Sequence, residues 1–130
     1  MKFQSSKAIF IQLAERICDG ILQKRFAPGE KLPAIREYAM EVEVNPNTLV
    51  RTYNHLQDQG IITMKRGIGY FVNEEATALI IKNRSQFFYE NILPEVFRQM
   101  KQLDISIENL TQHYHNDQIN KKGNKHENQQ

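Results

Sequence analysis

"VNPNTLVRTYNHLQDQG", residues 44–60, carries a full set of signals for one short helix with a polar face turned outward. Asn45 is a good N-cap, because its side-chain oxygen can accept from a first-turn N–H that has no partner inside the helix. Pro46 suits the first helical position, where its missing N–H was unpaired in any case. Val44 and Leu49 stand at the spacing of a hydrophobic staple. Leu49, Thr52, Tyr53 and Leu56 recur at helical period and predict a core-facing side. Asn47, Val50, Arg51 and Asn54 fall opposite them, and Gly60 closes the helix.

Immediately upstream, "AIREYAMEV" predicts a short helix that buries Ile35, Ala39 and Val42 and shows Arg36 and Glu37 to solvent. Only Glu43 and Val44 separate it from the capped helix, and two helices joined by so tight a turn make a helix-turn-helix. Further back, Ile9, Leu13, Ile17 and Ile21 recur every four residues and predict a first helix from about Ser6 to Arg25. Pro28-Gly29 and Pro33 break it. Downstream, the β-branched and aromatic runs Ile61–Met64 and Tyr70–Val72 flank Lys65-Arg66-Gly67-Ile68-Gly69, which reads as a basic hairpin tip. Three helices and a hairpin in this order predict a winged helix-turn-helix domain over residues 1–73, mainly α with a small β-hairpin.

From Glu74 the pattern is helical again. Ile81, Phe88, Ile92, Val96, Met100 and Leu103 follow at spacings of 7, 4, 4, 4 and 3, an apolar stripe on a helical arm over residues 74–115. Pro94 cannot donate to the carbonyl of Glu90, so a kink or break is expected there. Ser106 reads as the cap of a last short helix carrying Ile107, Leu110 and Tyr114. Residues 116–130 are mostly Asn, Gln, Lys and His with one apolar residue, Ile119, a composition that predicts a tail without fixed structure.

The chain has 130 residues and a net charge of +2. Residues 1–73 hold ten Lys/Arg against seven Asp/Glu, and residues 74–130 hold seven against eight, so the front half weakly favours a polyanion. Cys18 is the only cysteine, which excludes a disulfide framework and fits a reducing cytoplasm. No signal-peptide core and no apolar run of membrane-spanning length is visible, so a cytoplasmic protein without a membrane partner is expected.

A polar helix face is often merely solvated, but here it follows a tight turn and precedes a basic-tipped hairpin, the order of a DNA reader. Asn pairs with adenine and Arg with guanine at major-groove edges. Arg51 also has the reach to settle on a phosphate. Lys65 and Arg66 suit a wing touching backbone or minor groove, and Gly67 and Gly69 answer turn requirements. His113, His115 and His126 lack the cysteine or acidic partners of a metal site, so no metal or other cofactor is expected. No nucleophile, base and orienter set is visible, which argues against an enzyme.

Residues 7–72 resemble the DNA-binding domain of the GntR family of bacterial transcription regulators, through "APGEKLPAIREYA", "VNPNTLVRTYNHLQDQGII" and "KRGIGYFV" in that order. The resemblance implies that Arg36, the helix start Asn45, Pro46, Asn47 and Thr48, and Arg51 face DNA, with Gly67 and Gly69 as the wing glycines; the open-face Asn54 and the wing cations Lys65 and Arg66 complete the candidate interface. Two positions depart from the family pattern: Ala34 replaces a usual serine, losing a helix cap, and Glu43 replaces a common glycine. Fewer than sixty residues follow the wing, too few for the large effector domain of most members. A short helical appendage resembles the YtrA-like subfamily, whose members dimerise through it and are often associated with transporter operons. The expected protein is therefore a homodimeric repressor on an inverted-repeat operator. The rival reading is a winged-helix interaction module that recruits a protein partner, and a third is ligand sensing in a small pocket between the helical arm and the winged domain.

Overall fold

The computed structural model of the chain describes residues 7–128, with side chains placed through residue 121. Two compact units divide it, the first ending at Ser85 and the second beginning at Gln86. In the first, the apolar four-residue repeat winds α1 (Ile9–Leu22) and buries Leu13, Ile17 and Ile21. The helix stops short of the Arg25 limit read from the sequence because Lys24 turns left-handed at φ 65°, and the N–H groups of Arg25 and Phe26 fold back onto the Gly20 carbonyl. The expected start, Ser6, lies outside the described residues.

α2 (Ile35–Val42) and α3 (Pro46–Asp58) form the helix-turn-helix, and β1 (Ile62–Lys65) pairs antiparallel with β2 (Gly69–Val72), Lys65 opposite Gly69. The segment after Pro28-Gly29 does more than turn. Lys31 bridges Phe71, Leu32 N–H donates to the Tyr70 carbonyl and Val72 N–H to the Glu30 carbonyl, so this edge holds β2 from its other side. Leu49, Thr52, Tyr53 and Leu56 are all fully buried, as their period predicts.

The core does not end with the hairpin. α4 (Ala76–Phe87) contributes Ala76 and Ile80 to the same cluster as Leu13 and Tyr53. Arg84 on α4 reaches back to α1, pairing with Asp19 at 2.7 Å and donating to the Glu15 carbonyl at 3.1 Å. The boundary expected at residue 73 therefore falls a dozen residues early, because α4 buries Ala76 and Ile80 in the core of the winged domain and packs Leu79 against it. Ile81, next to Ile80 on this helix, is 52% exposed and belongs to this first unit.

In the second unit, the residues ahead of Pro94 wind as a π-helical turn, Phe88–Ile92, before α5 (Leu93–Leu103) begins with the proline in its first turn. The interruption predicted at Pro94 thus takes the form of a wider turn, where bonding to the fifth residue back replaces the usual fourth. Asp104 caps α5 in the left-handed region, and Ile105 N–H returns to the Met100 carbonyl. Ser106 then caps α6 (Ile107–Asn128) as the sequence predicts: its hydroxyl accepts from Asn109 N–H at 3.1 Å and donates to Asn109 Oδ1 at 2.7 Å. α6 is longer than the short helix expected, and continues through residues 116–128 where the composition predicts no fixed structure. No glycine-proline breaker interrupts that stretch before Gly123, and Lys121 pairs with Asp117 one turn back. Residues 129 and 130, and the side chain of His126, lie outside what is described. Among the described residues, no helix is long and apolar enough to cross a membrane and no acidic, histidine and cysteine cluster could hold a metal.

Candidate nucleic-acid interface

α3 is held from below and capped from above. Asn45 Oδ1 accepts from Asn47 N–H at 2.8 Å, so this oxygen serves the helix and the amide NH2 remains for an outside partner. Beneath the helix, the Tyr53 hydroxyl donates to the Pro33 carbonyl at 2.7 Å, and burial pushes the Tyr53 phenol well above its ordinary pKa, so it stays a neutral donor. Tyr53 also meets Tyr70 edge-to-face at 4.9 Å, which joins α3 to the wing strand. With one side of the helix anchored in this way, Asn47, Val50, Arg51 and Asn54 lie outward at spacings of three and four, all exposed, while Thr48 is half-buried.

Arg51 is not free in solvent. Its guanidinium lies over the Phe10 ring of α1, 4.2 Å from the centroid, and His55 meets the same ring edge-to-face. The contact crosses two elements far apart in sequence, which no local pattern encodes.

Ala34 occupies the N-cap of α2 with no side chain to accept a helix N–H, so the side-chain cap is absent, as inferred from the resemblance. Arg36 follows on the exposed side. The turn between α2 and α3 places Glu43 at φ 59°, ψ 52°, where a side chain crowds the following carbonyl at a cost of roughly 1–2 kcal/mol.

In the wing, Lys65 packs its ammonium over the Phe71 ring at 4.4 Å, and Arg66 stands exposed beside it. Gly67 turns at φ 77° with open space where a Cβ would lie; Gly69 turns at φ 141°, where a Cβ would come within 2.7 Å of Lys31 Cε. Both glycines are therefore turn requirements, and at Gly69 the neighbouring lysine stem adds a second reason. Among the described residues, none of Arg36, Arg51, Lys65 and Arg66 is in an ion pair, so four cations remain uncompensated on the helix-turn-helix and wing. The one thiol, Cys18, is buried in the core and pushed up to about 11, a group shielded from reaction rather than poised for it.

A capped second helix with an amide and arginine face, next to a basic-tipped hairpin, defines a winged helix-turn-helix DNA-binding protein. Residues 11–72 match the gntR family of bacterial regulatory proteins. The chain is 38% identical to the HTH-type transcriptional regulator YhcF of Bacillus subtilis, across 84% of this chain and 88% of that one. It is 32% identical to the HTH-type transcriptional repressor YtrA of the same organism, across 68% of each. The crystal structure of a GntR-family regulator from Bacteroides thetaiotaomicron superposes with a TM-score of 0.75 at 39% identity, covering 88% of this chain and 99% of the other. The chain belongs to the GntR family: it is a DNA-binding transcriptional regulator, and its relatives are regulators rather than enzymes.

Proposed function

We propose that the protein is a homodimeric, sequence-specific repressor that acts in the cytoplasm by occupying an inverted-repeat operator. The observation that carries the reading is the outward face of α3, where Asn47, Arg51 and Asn54 stand exposed on a helix whose other face is sealed in the core. In this reading α3 enters the major groove, Arg36 and the helix start Asn45 to Thr48 border the backbone, and Lys65 and Arg66, presented by Gly67 and Gly69, reach the adjacent phosphates or minor groove. Two-fold symmetry of the protein would impose two-fold symmetry on its site.

The second unit supplies the reason for a dimer. Phe88, Ile92 and Leu103 are exposed and Val96 is half-buried, side chains that one copy leaves in water. Met100 is withdrawn from the stripe expected on sequence grounds, being buried by its own chain, and Ile81 sits with the winged unit. The repressor assignment is supported by the likeness to a named repressor. Titrating the protein against a duplex selected from random-sequence DNA, over a range of salt, tests the reading. Binding to one inverted repeat that weakens steeply with salt is expected. Salt-insensitive binding, or equal affinity for all duplexes, would favour a protein-recruiting module instead.

A further inference from the structure

We propose that Phe10, on α1 and outside the helix-turn-helix pair, is a positioning residue for Arg51 that holds its guanidinium in place before DNA arrives. The inference rests on the reading of α3 as the recognition helix. One aromatic ring is straddled by two α3 side chains a turn apart: Arg51 over its face at 4.2 Å, and His55 edge-to-face at 5.8 Å. The backbone beneath the ring is fixed as well. The fully buried Thr52 hydroxyl lies 3.2 Å from the Phe10 carbonyl oxygen and 2.8 Å from that of Thr48, tying α1 to α3 beside Arg51.

The geometry suits a reader. A long exposed arginine samples many rotamers, and freezing it against a base lowers affinity. Stacking on a ring restricts that sampling through the face of the guanidinium and leaves the N–H donors in its plane available for guanine or phosphate. A carboxylate would restrict Arg51 too, but would occupy those donors and cancel the charge, and among the described residues Arg51 has no such partner. α1 thereby shares in DNA recognition without touching DNA.

The test compares Phe10→Leu, Phe10→Tyr, Arg51→Ala and the Phe10→Leu/Arg51→Ala pair on the selected duplex and on its single-base variants, with melting of each protein as a control. Phe10→Leu keeps an apolar side chain but removes the ring face; it is expected to weaken binding roughly two- to fivefold, the scale of an exposed cation–π contact. The loss should fall on the base pair that Arg51 reads, vanish in the Arg51→Ala background, and be rescued by Phe10→Tyr. In the free protein, the Arg51 Nε–H resonance should carry a ring-current shift that disappears in Phe10→Leu, a readout that needs neither DNA nor unchanged stability. Additive losses in the pair, or an Arg51 resonance indifferent to the ring, would overturn the positioning role while leaving Arg51 a reader. Arg51→Ala that binds every duplex like the intact protein would instead overturn the recognition-helix reading on which the role depends.

Discussion

Residues of the same apolar types meet different fates on the two sides of Ser85. In the winged unit Leu13, Ile17, Leu49, Tyr53 and Ile80 are sealed in one cluster. In the unit that begins at Gln86, Phe88, Ile92, Phe97, Leu103 and Leu110 are exposed, and Met100 is the buried exception among the described residues. The first unit has enough apolar surface facing inward to fold by itself. The second carries more than it can cover, and burying such side chains is worth roughly 1.5–3 kcal/mol each before the entropy of association is counted. The contrast is between a half of the chain that covers its apolar side chains and a half that leaves them in water; in our reading, a second copy of the chain covers them.

The strongest way to break this contrast is to end the chain at Ser85. The winged unit keeps its whole core, Ala76 and Ile80 included, so it should fold and bind a half-site as a single head. Without linkage, affinity for the full inverted repeat should fall by about 10²–10⁴. Titration of the selected duplex at fixed salt reads this, and a shortened chain that binds the full repeat as tightly as the intact one would place dimerisation in the winged unit. Ending the chain at Asn73 is a different experiment, because it strips two residues from the core.

The next effect sets one isoleucine in each unit against the other. Ile80→Ala should cost roughly 2–5 kcal/mol of folding stability, since Ile80 is fully enclosed. Ile92→Ala should leave melting of the isolated chain nearly unchanged at low protein concentration and weaken self-association instead. Denaturant unfolding at several concentrations separates the two, and equal losses of stability would dissolve the distinction between the units.

On the DNA side, Arg51→Ala should leave the fold intact and lower discrimination at one base pair by about 1–3 kcal/mol if the contact is bidentate. A uniform loss across all duplexes would mark a phosphate contact. Smaller still, Ala34→Ser supplies the missing N-cap acceptor three residues before Glu37, completing a capping box on α2. A gain of about 0.5–2 kcal/mol is expected by thermal or urea melting, and no gain would mean that the α2 start is already satisfied by solvent.

Much of the winged unit was legible because its signals are local. Asn45-Pro46 marks a helix start, the spacing of Leu49, Thr52, Tyr53 and Leu56 marks a buried face, and Gly67 and Gly69 mark a hairpin tip. Each is decided within a few residues, and each has its counterpart in the structure. What escaped the sequence is long-range. The Lys31 bridge to Phe71, the Arg51 stack on Phe10 and the reach of α4 into the core all join segments separated by dozens of residues. The extent of α6 was missed for the opposite reason: polar residues all round give no periodic stripe, so the pattern that identifies amphipathic helices has nothing to detect. Composition alone cannot distinguish such a helix from a tail.

The central claim, that the arm joins two DNA-reading heads, is tested most directly by sedimentation of the intact protein alone and with the selected duplex. The account predicts a species of two 15.3 kDa chains that binds one duplex per pair, and a single-chain species once the protein ends at Ser85. An intact protein that sediments as one chain and loads onto the duplex one copy at a time, with no linkage between half-sites, would contradict it.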